Sequence, residues 1–154
     1  IYQCDWSSDV CSSDLLAAFA AISSGARADA LVEYRITDGQ IAEPLTKEPG
    51  NPARGKNAVL SREGGNCFLC HAFPDAGDAQ LGNLGPPLAG VGARMNAGQM
   101  RLRLVDSTRI NRASIMPAYY RVDGFSHVAS NYAGKPLLSA QQVEDMIAYL
   151  LTLR

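Results

Sequence analysis

The chain is poor in aromatic side chains and carries almost no excess charge. Aromatics make up 7% of its 154 residues, with a single tryptophan, so side chains alone would fill only a modest interior. Fourteen basic residues stand against fifteen acidic ones, a net charge of −1, which demands neither nucleic acid nor an anionic membrane as partner. No apolar run approaches the roughly 20 residues a membrane-spanning helix needs. Only two histidines and four cysteines are present, so any metal or redox chemistry must draw on a very small donor set. Internal repeats and low-complexity segments are absent too. What remains is an ordinary globular balance, 47% hydrophobic and 19% charged, suited to one domain plus a short appendage.

Two of the cysteines are set aside by their surroundings. Cys4-Asp5-Trp6-Ser7-Ser8-Asp9-Val10-Cys11-Ser12-Ser13-Asp14-Leu15 reads like a sequencing adapter translated in frame, so residues 1–15 are expected to be artefactual. Cys4, Cys11 and Trp6 then drop out of disulfide and core counting. Leu16 to Ala28 follows with a short apolar run, two serines and Ala26-Arg27-Ala28. This is the apolar core and A-x-A cleavage site of a truncated secretory signal peptide, cut before Asp29. Residues 1–28 carry a net −2, leaving the exported remainder near +1.

Downstream, the alternation Leu31 to Ile36, then Asp38-Gly39 and Ile41, predicts a small β-hairpin over about 31–43, because Asp-Gly suits a type I′ turn. Asn51-Pro52 opens a helix to about Arg62, with Asn as cap and Pro in the first helical position. Residues 72–93 are rich in Gly and Pro and read as a long loop wrapped over a cofactor. Asn96 with Gln99 starts a helix over about 97–106. Ser139 with Gln142 forms a capping box, after which Val143, Met146, Ile147, Leu150 and Leu151 make the apolar stripe of a last helix. The fold class is mostly α, with an N-terminal extension over 29–50 and the main domain over 51–154.

The two remaining cysteines lie in one run, Cys67-Phe68-Leu69-Cys70-His71. Thiols at C-x-x-C spacing can add to the two vinyl groups along one haem edge, and the next residue then offers its imidazole to the iron. Rival readings are weaker. A structural zinc site wants four ligands, and outside the leader only His127 remains. A thioredoxin-like pair wants a βαβ setting, and none is legible. One covalent haem c, anchored by Cys67 and Cys70 with His71 as axial ligand, is the reading the motif supports.

A sixth iron ligand must come from Met95, Met100, Met116, Met146 or His127. Met100 and Met146 lie on apolar helix sides and suit the core. Met95 is expected to be exposed, and His127, in a polar stretch, to lie at the surface. Met116 stands in an irregular apolar loop, Ser114 to Tyr120, stiffened by Pro117, and is the candidate. A ligating histidine usually donates its other ring N–H to a carbonyl, and Pro86 is placed to offer one. With both axial positions filled, the expected work is one-electron transfer.

Several segments then resemble one family in order along the chain: Gly50-Asn51-Pro52-Ala53-Arg54-Gly55, Asn66-Cys67 through His71, Gly82-Asn83-Leu84-Gly85-Pro86-Pro87-Leu88, Met116-Pro117-Ala118-Tyr119-Tyr120-Arg121 and Gly134-Lys135-Pro136-Leu137-Leu138-Ser139. Together they resemble the SoxX family, monohaem cytochromes of bacterial sulfur oxidation. The resemblance implies a class I cytochrome c fold, with Cys67 and Cys70 as thioether anchors, Pro86 and Leu88 as cofactor-contacting residues, and His71 and Met116 as metal ligands. It implies a periplasmic heterodimer with a SoxA-like haem subunit, joining thiosulfate to a cysteine of a SoxYZ-like carrier and passing electrons to a soluble cytochrome c. The catalytic haem would belong to SoxA, which makes this chain the non-catalytic electron-transfer subunit of an L-cysteine S-thiosulfotransferase. A free-standing, diffusible class I cytochrome c is the alternative.

Six arginines, at 94, 101, 103, 109, 112 and 121, face Asp106 as the sole acidic residue between Arg94 and Arg121. They suit an acidic partner or a sulfur anion, or simply a solvated helix face. Sequencing the exported protein should return Asp29 as its first residue; any other start would contradict the leader reading.

Overall fold

The computed structural model describes residues 31–62, 64–74, 76 and 82–154, so the leader readings lie outside the described residues. Among the described residues four α-helices are formed: α1 (Pro52–Leu60), α2 (Val91–Arg94), α3 (Ala97–Asp106) and α4 (Ala140–Leu150). Single 3-10 turns occupy Cys67–Leu69 and Ser107–Arg109. Among the described residues no helix is long and apolar enough to cross a membrane.

The helix starts follow their caps. Asn51 Oδ1 accepts the N–H groups of Ala53 and Arg54 at 2.9 and 3.0 Å, with Pro52 in the first turn. Asn96 with Gln99, and Ser139 with Gln142, each close a reciprocal capping box, meeting two otherwise orphaned donors per helix. α1 ends at Leu60, two residues earlier than the pattern predicts. Ser61 turns extended, and the Ala58 carbonyl takes the Gly65 N–H at 2.9 Å instead of a further helical donor.

The core lies between α1, α3 and α4. Val59, Leu102, Val105, Val143, Met146 and Ile147 are all buried there, Val105, Val143 and Met146 completely. α1 and α4 cross so closely that a Cβ on Gly55 would collide with the Asp145 carbonyl, and one on Gly50 with that of Glu144. Asp145 makes the same contact polar. It accepts from the Asn51 backbone at 2.7 Å, from Arg54 Nε at 2.6 Å and from Gln141 at 3.0 Å. Burial pulls its carboxyl up, but these donors, Arg54 above all, hold it below the usual carboxylate range.

The expected hairpin is reduced to its turn. Thr37 and Gln40 exchange backbone bonds of 3.0 and 3.1 Å around Asp38 and Gly39, both with positive φ as a type I′ turn requires. The flanks do not pair with each other because they find better partners. The Ile41 N–H reaches the Gly98 carbonyl of α3 at 3.1 Å, and the Val32 N–H reaches the Tyr120 hydroxyl at 2.9 Å.

A buried ion pair completes this docking. Arg101 of α3 forks onto Glu144 of α4 at 2.6 and 2.8 Å, and its third nitrogen donates to the Ile41 carbonyl at 2.6 Å. Glu144 also accepts the Leu45 N–H at 2.9 Å. Removing one partner of such a pair strands a buried charge. Arg101→Met should therefore cost about 3–5 kcal/mol of unfolding free energy, read from the denaturant midpoint of the haem-loaded protein. The double variant Arg101→Met, Glu144→Leu should recover most of that loss.

Candidate functional site

α1 delivers the chain to the C-x-x-C-H run through Gly64-Gly65-Asn66. Asn66 adopts a left-handed φ of 50°, an angle asparagine tolerates better than most residues, and turns the chain into the 3-10 turn Cys67–Leu69. The N–H groups of Cys70 and His71 both reach back to the Cys67 carbonyl, at 3.1 and 2.9 Å. That tight turn brings both thiols and the imidazole into one short segment. Neither cysteine is in a disulfide, and both are half-buried.

His71 is held from two directions. Its Nδ1 lies 2.7 Å from the Pro86 carbonyl oxygen. A carbonyl only accepts, so Nδ1 carries the hydrogen and the lone pair of a neutral ring is left on Nε2. Gly85 lies directly against the imidazole: an added Cβ would meet its Cε1, and would approach Nδ1 and Nε2 to 2.7 and 2.9 Å. The Gly85 N–H bonds the Cys70 carbonyl at 2.8 Å, and the Leu88 N–H bonds that of Ala72 at 2.9 Å, lacing the Gly/Pro loop to the motif. Leu88 is half-buried against the core. The sequence pointed to the carbonyl of Pro86. The role of Gly85 was legible only as a glycine beside a proline, a signal shared by ordinary turns.

Met116 is half-buried and packs against the core cluster. Its loop is tied at both ends. The Ser107 hydroxyl donates to the Met116 carbonyl at 2.9 Å, and Ser107 and Ser114 share a 2.8 Å bond. Beyond it, the N–H groups of Tyr119 and Tyr120 take the Leu104 and Val105 carbonyls at the end of α3, at 3.1 and 3.3 Å. Met100 and Met146 are buried at 2% and 0% exposure, as core residues. Met95 is half-buried against the core rather than exposed, because α2 is a single turn that folds its end back inward. His127 is exposed.

Sequence reasoning missed Tyr119 as a site residue. Its hydroxyl donates to the Gly65 carbonyl at 2.9 Å, two residues before the first cysteine of the motif. Burial pushes the Tyr119 hydroxyl well above its ordinary range, and pushes the Cys67 thiol up to about 11. A redox-active C-x-x-C pair needs the opposite, a thiol whose pKa is lowered so that it ionises near neutral pH. Three His, Cys, Asp or Glu side chains able to share a metal ion are not found together among the described residues. Two unpaired thiols, an imidazole with Nε2 available and a glycine flat against its ring fit a covalently attached haem.

A cytochrome c family profile matches residues 52–154. Among solved structures, the chain is similar to SoxXA from P. pantotrophus, with 35% identity, a TM-score of 0.72, and coverage of 79% of this chain and 94% of that one. It is also similar to the c-type cytochrome SorU from Sinorhizobium meliloti, with 23% identity, a TM-score of 0.43, and coverage of 66% and 87%. No curated protein matches. Gly85→Ala should overpack the His71 ring and cost roughly 1–3 kcal/mol, measured as the denaturant midpoint of the haem-loaded protein. An unchanged midpoint would mean that the ring has room to give way.

Proposed function

The chain belongs to the cytochrome c family and, within it, to the SoxX family, and from that premise we propose that it is the electron-transfer subunit of a thiosulfate-oxidising complex. It carries one covalently bound haem c and works in the electron transfer of sulfur oxidation. The observation that carries the finer reading is the likeness to SoxXA across 94% of that chain. The partners follow as proposals: a SoxA-like haem subunit in a heterodimer, a SoxYZ-like carrier whose cysteine accepts the sulfur, and a soluble cytochrome c that takes the electrons. The compartment proposed is the periplasm.

Joining thiosulfate to a carrier thiol forms one S–S bond and releases two electrons and one proton. On this reading the bond forms at the partner subunit, and the electrons leave one at a time by way of this chain. The haem, when bound, supplies the one-electron chemistry. The protein's own part is positional. Cys67 and Cys70 would hold the haem as thioethers. The Pro86 carbonyl fixes the tautomer of the His71 ring and leaves Nε2 as the basic nitrogen that would bind the iron. Met116 is the proposed sixth ligand, on a loop that Ser107 and the Tyr119-Tyr120 backbone hold in place. A thioether sharing the iron with an imidazole would favour the ferrous state and raise the potential. Leu88 packs beside the cofactor.

Met116→Ala should abolish the weak near-infrared sulfur-to-iron band of the ferric protein and lower its potential. Persistence of that band would remove Met116 from the iron. Affinity isolation of the tagged protein from the exported fraction, followed by haem staining, should show a second haem protein in a tight complex. A stable lone monomer would instead favour the diffusible carrier.

A further inference from the structure

The six arginines between Arg94 and Arg121 do not act alike. Arg94 donates to the Ala89 and Pro87 carbonyls at 2.6 and 3.2 Å, Arg103 to the Gln99 carbonyl at 3.0 Å, and Arg101 is buried on Glu144. Those three are committed to holding the fold. The other three converge. Thr108, Arg109, Ile110, Arg112 and Arg121 line one open basin of about 560 Å³.

At the root of the basin lies Asp106, fully buried. Its Oδ1 accepts from the Thr108 N–H and hydroxyl at 3.1 and 2.5 Å, and its Oδ2 from Arg121 Nη1 at 2.9 Å, with Arg109 Nε at 3.5 Å. Burial raises the Asp106 carboxyl, but its hydrogen bonds, first from Thr108 and then Arg121, bring it below the ordinary value, so it stays ionised. It is thus one negative charge, held by Arg121 and at longer range by Arg109, beside a basin that Arg112 also lines. Arg121 is fixed further by Phe125, whose ring centroid lies 4.6 Å below its guanidinium carbon.

Asp123 belongs to the same electrostatic neighbourhood, since it acts on Tyr34 together with Asp106, Arg109 and Arg121. It pairs with none of the three arginines, and even counting it the basin keeps an excess positive charge. Arg112 is exposed and forms no ion pair among the described residues. Arg121 Nε is buried and has no hydrogen-bond acceptor, an unmet donor beside the basin. Guanidinium forks set around a concave surface, one preorganised by a buried carboxylate and one left free, match the oxygens of a tetrahedral anion better than a flat protein surface.

We propose that Arg109, Arg112 and Arg121 form a binding site for a tetrahedral sulfur dianion. Three guanidinium groups around one concave basin favour a compact dianion rich in acceptor oxygens; the choice of sulfur rests on the function proposed above. The basin also joins the root of the Met116 loop, because Ser107, which holds the Met116 carbonyl, opens the 3-10 turn that carries Arg109. The site is therefore joined through Ser107 to the loop of the proposed sixth ligand.

Isothermal titration calorimetry on the haem-loaded protein tests this, with the iron kept fully ferrous so that reduction by the anion cannot be mistaken for binding. Sodium thiosulfate and sodium sulfate are titrated separately at matched ionic strength, and the tighter of the two identifies the source that fills the site. Saturable one-site binding of either is expected, weakened at least fivefold by Arg112→Gln and less than twofold by Lys47→Gln, the same charge change at an exposed position elsewhere. No saturable heat from either anion, or equal weakening by both variants, overturns the proposal. Saturation by hexaglutamate alone also overturns it and assigns the basin to an acidic protein segment. Dianion binding by a protein that co-isolates with no second haem protein would keep the site and remove the thiosulfate-complex reading.

Discussion

The close crossing of α1 on α4 is the constraint from which the site follows. Backbone contact at Gly55 and Gly50 leaves no room for side chains, so the two helices share one relative position. Asp145 of α4 then ties the first turn of α1 to its own helix by accepting from Asn51 and Arg54. Because α1 runs into the motif within a few residues, this crossing also sets where Cys67, Cys70 and His71 stand. An added methyl at the crossing would thus be felt at His71, although neither glycine touches it.

The second half of the site is attached to the same frame by different chemistry. The Met116 loop has little regular structure of its own, yet it is not loose. Its carbonyl is held by Ser107, and the residues after it pair with the last carbonyls of α3. The loop meets the acceptors that a helix end always leaves over, so one set of bonds both finishes α3 and fixes the loop. Tyr119 joins the halves, reaching from that loop to Gly65 just before the motif. The two sides of the candidate haem site are therefore mechanically linked through polypeptide alone.

Much of this was written locally. Cap residues, the apolar stripe of α4 and the C-x-x-C-H spacing are short-range signals, and α3 and α4 begin where their capping boxes place them. The site was legible for the same reason, since thiols and imidazole fall within five residues and the Pro86 carbonyl follows a recognisable Gly-Pro. What local signals did not carry was competition between distant partners. The Asp-Gly turn formed as its φ preferences require, but the strands beside it lost their pairing to Gly98 and Tyr120, far away in sequence. Likewise, Met95 reads as polar by its neighbours and packs inward by its position. Gly85 looks like any turn glycine until the His71 ring is seen lying against it.

Arginine count illustrates the same limit from the side of charge. Six positive residues against one acidic residue suggest a surface, yet Arg101 is buried on Glu144, and Arg94 and Arg103 are engaged by backbone carbonyls. Composition could not tell Arg101, buried and paired, from Arg112, exposed and unpaired, because both look alike along the chain. What separates them is where the nearest carboxylate lies. Glu144 answers Arg101 with both oxygens, whereas Asp106 spends its oxygens on Thr108 and Arg121 and has only a longer contact left for Arg109. One carboxylate brings one negative charge, whatever hydrogen bonds it accepts, and cannot balance three guanidinium groups. The basin therefore keeps its positive excess, and the cap that Asp106 makes to its own turn fixes where its single charge sits.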